Sequence, residues 1–169
     1  AATLKQEGFE VKVFDTTFYR TDQKTGNLYR ESSLQVRKVD YSEVGIIERE
    51  GKELFKDFFE TVMKYKPNLI GLSSTEVTHD LGISLLKLVA DRDIVTMVGG
   101  VHTTFNPDEV LSEKCVDIIC IGEGELAIAE LCKRMAEGND YLDIPNICVK
   151  SNGRVYKNGY GELEDITKL

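Results

Sequence analysis

No stretch of this 169-residue chain approaches the ~20 consecutive apolar residues of a membrane-spanning helix. No basic-then-apolar leader stands at its start. Both absences lead to the expectation of a cytoplasmic protein. Lysine and arginine form no cluster, and 21 of them against 29 Asp and Glu leave a formal charge of −8. That balance argues against a nucleic-acid groove, and solubility alone accounts for it. The four cysteines, Cys115, Cys120, Cys132 and Cys148, make no Cys-x-x-Cys pair, so zinc and iron–sulfur sites lack their usual ligand spacing. Cys120 lies in an apolar strand pattern and Cys132 in a helical one, as buried thiols do. Reduced thiols also suit the cytoplasm. There is no Ser/His/Asp set, no paired histidine with a carboxylate, and no context for a cysteine nucleophile. On its residues alone the chain reads as a binder.

What is present organises itself by period. The length suits one domain with an appendage, and 41% hydrophobic residues can fill its core. Residues 1–7 read as the last turns of a helix with Gly8 as its C-cap, and 9–14 (FEVKVF) alternate as a strand. A chain opening in mid-helix is expected to have a strand upstream of Ala1. Residues 18–50 read as an irregular insertion, with a turn signal at 24–27 between Tyr19 and Tyr29 and partial alternation over 34–41. Its length suits a lid or partner surface, or equally a mobile decoration.

Residues 53–65 carry a helical apolar stripe of Leu54, Phe55, Phe58, Phe59, Val62 and Met63, which is core rather than a cofactor box. A short strand at 69–72 ends in Ser73-Ser74-Thr75. A helix at 81–90 with Leu81, Leu85, Leu88 and Val89 follows, then a strand at 94–98, a short helix at 107–112, a strand at 116–121 and a helix at 125–136 stopped by Gly138. This alternation predicts an α/β fold with a parallel sheet covered on both faces. The period then changes: strands at 147–150 and 154–157 flank Asn152-Gly153, a hairpin signal because both turn positions need φ > 0. The boundaries are therefore an α/β domain over 1–145, interrupted at 18–53, and a hairpin with linker over 146–169.

Ligands of such sheets sit beyond the carboxyl ends of the strands, so three turns become candidates. Ser73, Ser74, Thr75 and Glu76 present hydroxyls and N–H groups suited to a polar ligand edge, or simply cap a helix. Gly99, Gly100, Val101, His102 and Thr103 form a turn whose paired glycines permit close backbone approach. His102 has no second ligand at a metal-binding spacing, so it reads as site-lining. Gly122, Glu123, Gly124 and Glu125 open a helix, but the glutamates repel phosphate and the pattern is neither a dinucleotide nor a Walker loop. It suits a ligand's amides or hydroxyls, and the glutamates also favour a helix N-terminus.

Taken in order, 68–74, Gly-Gly-x-His-x-Thr at 99–104 and Gly-Glu-Gly-Glu at 122–125, followed by Ile144-Pro145-Asn146 and the hairpin, resemble one family. It is the N-terminal cobalamin-binding domain of cobalamin-dependent radical SAM enzymes, over roughly residues 1–17 and 54–169. The resemblance implies a five-stranded flavodoxin-like, Rossmann-type sheet whose first strand is missing here. It implies cobalamin across the carboxyl edge, with Ser73, Ser74 and Thr75 at its tail or lower face. Gly99 and Gly100 would make room for the tail, and Gly122 and Glu123 would border the nucleotide end.

The resemblance further implies a following barrel with a Cys-x-x-x-Cys-x-x-Cys motif, a 4Fe–4S cluster and S-adenosylmethionine. That motif does not occur here, so this chain is expected to be a non-catalytic module of a methyltransferase acting on an unactivated carbon or phosphorus. Two rival readings are a cobalamin-free docking domain and a flavodoxin-like regulator or flavin binder. Thr78-His79-Asp80-Leu81-Gly82 resembles part of the Asp-x-His-x-x-Gly signature by which some cobalamin domains supply histidine to cobalt. Val77 stands in the aspartate position, and the segment follows a later strand. Histidine ligation of cobalt is therefore not expected.

Overall fold

The computed structural model describes residues 1–21, 31–34, 37, 45, 47 and 49–161. The expected turn at 24–27, most of the alternating segment 34–41 and the tail through Asp165 and Leu169 lie outside them. The chain forms two compact units, Val13–Lys66 and the combination of Ala1–Lys12 with Pro67–Leu169.

In the smaller unit, β1 (Tyr19–Arg20) pairs in parallel with β2 (Arg49–Glu50), and α2 (Gly51–Tyr65) follows at once. The helix starts where Glu50 N–H donates to the Glu53 carboxylate, a reach back from the third helical residue that satisfies an orphan donor. Leu54, Phe58 and Val62, four residues apart, form its buried line. Phe55 on the flank is partly exposed, so the stripe is narrower than its apolar residues suggest. Phe14 packs edge-on against Phe58 with ring centres 5.3 Å apart. Asp57 accepts from Tyr19 and pairs with Arg49, which pins both short strands to the helix. Lys66 ends α2 in the left-handed conformation, φ 52°, and its N–H donates to Val62 O.

The larger unit opens with α1 (Ala2–Gln6), closed by Gly8 at φ 85° and by Phe9 N–H donating to Leu4 O. Its sheet has the order β3-β4-β5-β6-β7, with β3 (Leu69–Ser73), β4 (Val95–Gly99), β5 (Ile118–Cys120), β6 (Ile147–Ser151) and β7 (Arg154–Lys157). Between them lie α3 (His79–Lys87), α4 (Val101–Phe105), α5 (Pro107–Ser112) and α6 (Glu125–Glu137). The central strands are apolar on both faces because both are buried. Val98 and Ile119 face Ile83, Leu86, Val110 and Val116, whereas Met97 and Ile118 face Ala127, Leu131, Ile144 and Ile147.

Two expectations need correction. The sheet is mixed: β3, β4 and β5 are parallel, but β6 is antiparallel to β5 and β7 to β6. After α6 the chain passes through buried Ile144 and half-buried Tyr141 and Leu142 before it re-enters the sheet beside Cys120. Its direction is thereby reversed, and Ile121 N–H to Asn146 O and Lys150 N–H to Asp117 O extend the ladder at both ends. The hairpin is thus part of the main sheet, with Asn152 and Gly153 at φ 50° and 73° as its turn requires. The second correction concerns 9–14, which form no strand. Alternation alone does not make a strand without a hydrogen-bonded neighbour, and no described strand pairs with this segment.

Candidate functional site

The carboxyl ends of β3, β4 and β5 are knitted into one edge by backbone and hydroxyl contacts. Ser73 ends β3 exposed, and Ser74 is buried. Ser74 N–H donates to Gly99 O at 3.1 Å, and Ser74 O accepts from His102 N–H at 3.3 Å. Gly100 lies flat on this segment at φ 97°: a Cβ there would come within 2.5 Å of Ser74 O and 2.8 Å of Ser74 N. The room left by its missing side chain is therefore filled by the protein's own backbone. Gly99 is less constrained, its nearest neighbour being Cys120 Cβ at 3.4 Å. Thr75 and Glu76 are exposed in the turn before α3, where Thr75 N–H donates to Thr78 Oγ1.

Beyond Gly100 the chain coils at once into α4, a helix that the sequence pattern did not suggest. Val101 is exposed, whereas His102 and Thr103 are driven inside. Thr104 Oγ1 donates to Gly100 O at 3.1 Å and accepts from Gly122 N–H at 3.0 Å, joining the second turn to the third. Gly122, at φ 78°, has open space where a side chain would be. Glu123 is exposed, and its carbonyl accepts from Asn146 Nδ2 at 3.0 Å. A Cβ on Gly124 would meet Cys120 Sγ at 3.2 Å. Burial pushes the Cys120 thiol up to about 11, so it is a packing group rather than a nucleophile.

Two histidines 23 positions apart in sequence meet beneath this edge. His79, in the first turn of α3, stacks on His102 with ring centres 4.1 Å apart and an interplanar angle of 29°. Its Nδ1 lies 3.3 Å from Ser74 Oγ. Burial lowers the His79 imidazole below its ordinary value and His102 lowers it further, against the opposing pull of Asp80, Glu109 and Glu113. The two ring nitrogens of His102 and the Thr103 hydroxyl are enclosed without a hydrogen-bond partner among the described residues. Such atoms are costly to leave unpaired and fit an edge built to hold a polar group.

The edge thus brings together Ser73, Ser74, Thr75 and Glu76, the segment Gly99 to Thr103, and Gly122 to Gly124. By sequence Thr104 stands in the second turn without an assigned contact, and Asn146 is not assigned to the site. Both lie inside the quoted motifs, but only the folded chain shows what their side chains join.

The B12-binding domain family matches residues 29–132, more than half of the chain. The chain belongs to the B12-binding domain family. Among curated proteins, this B12-binding domain is 28% identical over 117 residues to an uncharacterized methyltransferase of Pyrococcus horikoshii, covering 67% of this chain and 26% of the relative. It is also 28% identical over 130 residues to the cytidylyl-2-hydroxyethylphosphonate methyltransferase of Streptomyces wedmorensis, covering 75% and 21%. The chain therefore spans about a quarter or less of the length of these relatives.

Solved structures share the fold of the B12-binding domain. The radical S-adenosylmethionine methyltransferase TsrM of Kitasatospora setae, solved with cobalamin and a 4Fe–4S cluster, superposes with TM-score 0.61 at 17% identity over 97% of this chain and 25% of its own. The cobalamin-dependent S-adenosylmethionine radical enzyme OxsB, solved with aqua-cobalamin and S-adenosylmethionine, gives 0.56 at 21% identity over 64% and 16%. The B12-binding domain thus resembles the cobalamin-binding domains of cobalamin-dependent radical SAM enzymes.

Proposed function

We propose that this chain holds cobalamin across the carboxyl edge of β3, β4 and β5, as the corrinoid module of a radical SAM methyltransferase. The observation that carries the reading is the joined edge itself. Three strand ends are fixed to one another through Ser74, Gly100 and Thr104, while Ser73, Thr75, Glu76 and Gly122 stay exposed along it. Ser73, Thr75 and Glu76 would offer hydroxyl and carboxylate partners to a ligand's amides, and Gly122 leaves room for it. Gly100 acts one step back, by letting the first two turns meet. Ser74, His102 and Thr103 lie beneath and fix the geometry. When bound, cobalamin supplies cobalt-centred alkyl-transfer chemistry. The chain's own contribution is to bind, orient and partly cover it.

The S-adenosylmethionine, the 4Fe–4S cluster and the barrel that carries them belong, in this proposal, to another part of the full protein. Both curated relatives are methyltransferases and both are much longer than this chain, which supports that assignment. A cytoplasmic setting fits four cysteines that stand as free thiols.

One observation favours a second reading, a docking domain without corrinoid. Val77, Val101, Phe105 and Leu126, which follow the strand ends, are all exposed and apolar. Titration with aquacobalamin followed by absorbance separates the two. A saturable spectral change, weakened about tenfold or more by Ser73→Leu with the unfolding midpoint unchanged, is the expected result. A folded domain that leaves the spectrum unchanged would overturn the corrinoid reading in favour of docking.

A further inference from the structure

We propose that His79, buried beneath the edge, is a positioning residue that holds the β3 and β4 turns together in its neutral form and releases them when it takes a proton. The inference rests on the proposed cofactor edge for its function, but its physical basis is independent of any ligand. Three contacts converge on one point. The His79 ring stacks on His102, its Nδ1 meets Ser74 Oγ, and Ser74 O accepts the His102 N–H. The result is a closed circuit from α3 to the β3 turn, across to α4 and back to α3. Both rings are buried, His79 at 5% and His102 at 9% exposure.

The circuit responds to protons for a geometric reason. With Nδ1 unprotonated, the Ser74 hydroxyl donates to it. A proton on Nδ1 turns the nitrogen into a donor, so Ser74 must rotate its hydroxyl, and a charge is placed against the His102 ring in a buried setting. The charged groups facing His79 are Asp80 on its own helix, Glu109 of α5 and Glu113 just beyond it. These carboxylates favour the proton, but burial and His102 outweigh them and leave the ring below its ordinary value. A neutral ring with Nδ1 as acceptor suits the Ser74 hydroxyl as donor and sets no charge against the stacked His102 ring, so this is the form assigned to holding the turns.

The test needs no variant to begin. Imidazole resonances and backbone amide exchange are followed by NMR in the wild-type chain between pH about 8 and pH about 5. Expected is titration of His79 below its ordinary value, with protection of the His102 and Ser74 amides falling about tenfold over the same interval. The amides within α6 should not follow. His79→Phe keeps a stacking ring but cannot titrate and should abolish the pH dependence; His79→Gln serves the same purpose if the Phe variant misfolds. Titration of His79 at or above its ordinary value, or protection that ignores pH, would overturn the proposal. So would a variant that keeps the wild-type pH dependence. Aquacobalamin binding is then measured at both pH values. Binding that weakens in acid only when His79 is present joins the switch to the cofactor edge. Absence of binding at either pH, with the exchange response intact, would sink the corrinoid reading and leave the His79 circuit standing.

Discussion

Gly100 lies against Ser74 so closely that a Cβ at residue 100 would sit 2.5 Å from the Ser74 carbonyl oxygen. Two costs therefore meet at one position: a left-handed φ of 97°, which L side chains rarely adopt, and a collision with backbone that cannot step aside. Gly100→Ala should lose about 2–5 kcal/mol of stability, read from urea unfolding. A loss under about 0.5 kcal/mol would mean that the two turns are free to part. Weakened ligand binding by this variant would report a displaced turn, not a lost ligand contact.

Thr104 serves as a strap between the second and third turns, since one hydroxyl donates to Gly100 O and accepts from Gly122 N–H. Thr104→Val keeps the shape and removes both bonds. Gly122 is exposed and water can replace its partner, so the global cost should be only about 0.5–1.5 kcal/mol. Exchange of the Gly122 amide should nonetheless accelerate at least several-fold. An unchanged Gly122 rate would show that the strap does not operate in solution.

Acid should destabilise the larger unit before its carboxylates titrate. The unfolded chain protonates His79 near its ordinary 6.5, and the folded chain resists until lower pH. Between these values the unfolded state binds more protons, so stability rises with pH. The penalty is absent well above 6.5, grows as pH falls through it, and levels off below the folded value. Urea midpoints at pH about 8 and about 5.5 should differ more in the wild type than in His79→Phe. Equal differences would place the acid sensitivity elsewhere.

Cys120 should be the slowest of the four thiols to alkylate in the native state. With its pKa pushed to about 11 and its sulfur packed under Gly124, only about a thousandth is thiolate near pH 8. Half-buried Cys132 on α6 should react ahead of it. A time course with iodoacetamide, resolved by peptide mass, measures the order. Early labelling of Cys120 would mean that the Gly122–Gly124 turn opens readily.

The long amphipathic helix was legible because Leu54, Phe58 and Val62 repeat on one face, and it is observed at Gly51–Tyr65 against an expected 53–65. In α3 the legible stripe was partly wrong. Leu85 and Val89 are buried as expected, but Leu88 lies past the helix end at Lys87 and is exposed, while Ile83 and Leu86 join the buried set. α4 was illegible for a different reason. Val-His-Thr-Thr-Phe favours a helix weakly by local propensity, and burial of His102 and Thr103 forms it instead.

The sequence by itself determined the alternation of strands and helices, the polar turns after three strands, two of them glycine-bearing, the Asn152-Gly153 hairpin and the resemblance to cobalamin-binding domains. Each of these is written in residues near one another in the chain, where period and turn chemistry act. Only the tertiary structure decided that β6 runs antiparallel to β5, that Gly100 makes room for Ser74, and that His79 stacks on His102. Those relationships join residues more than 20 positions apart that carry no local sign of one another. They arise when burial, rather than propensity, chooses which groups must share the interior.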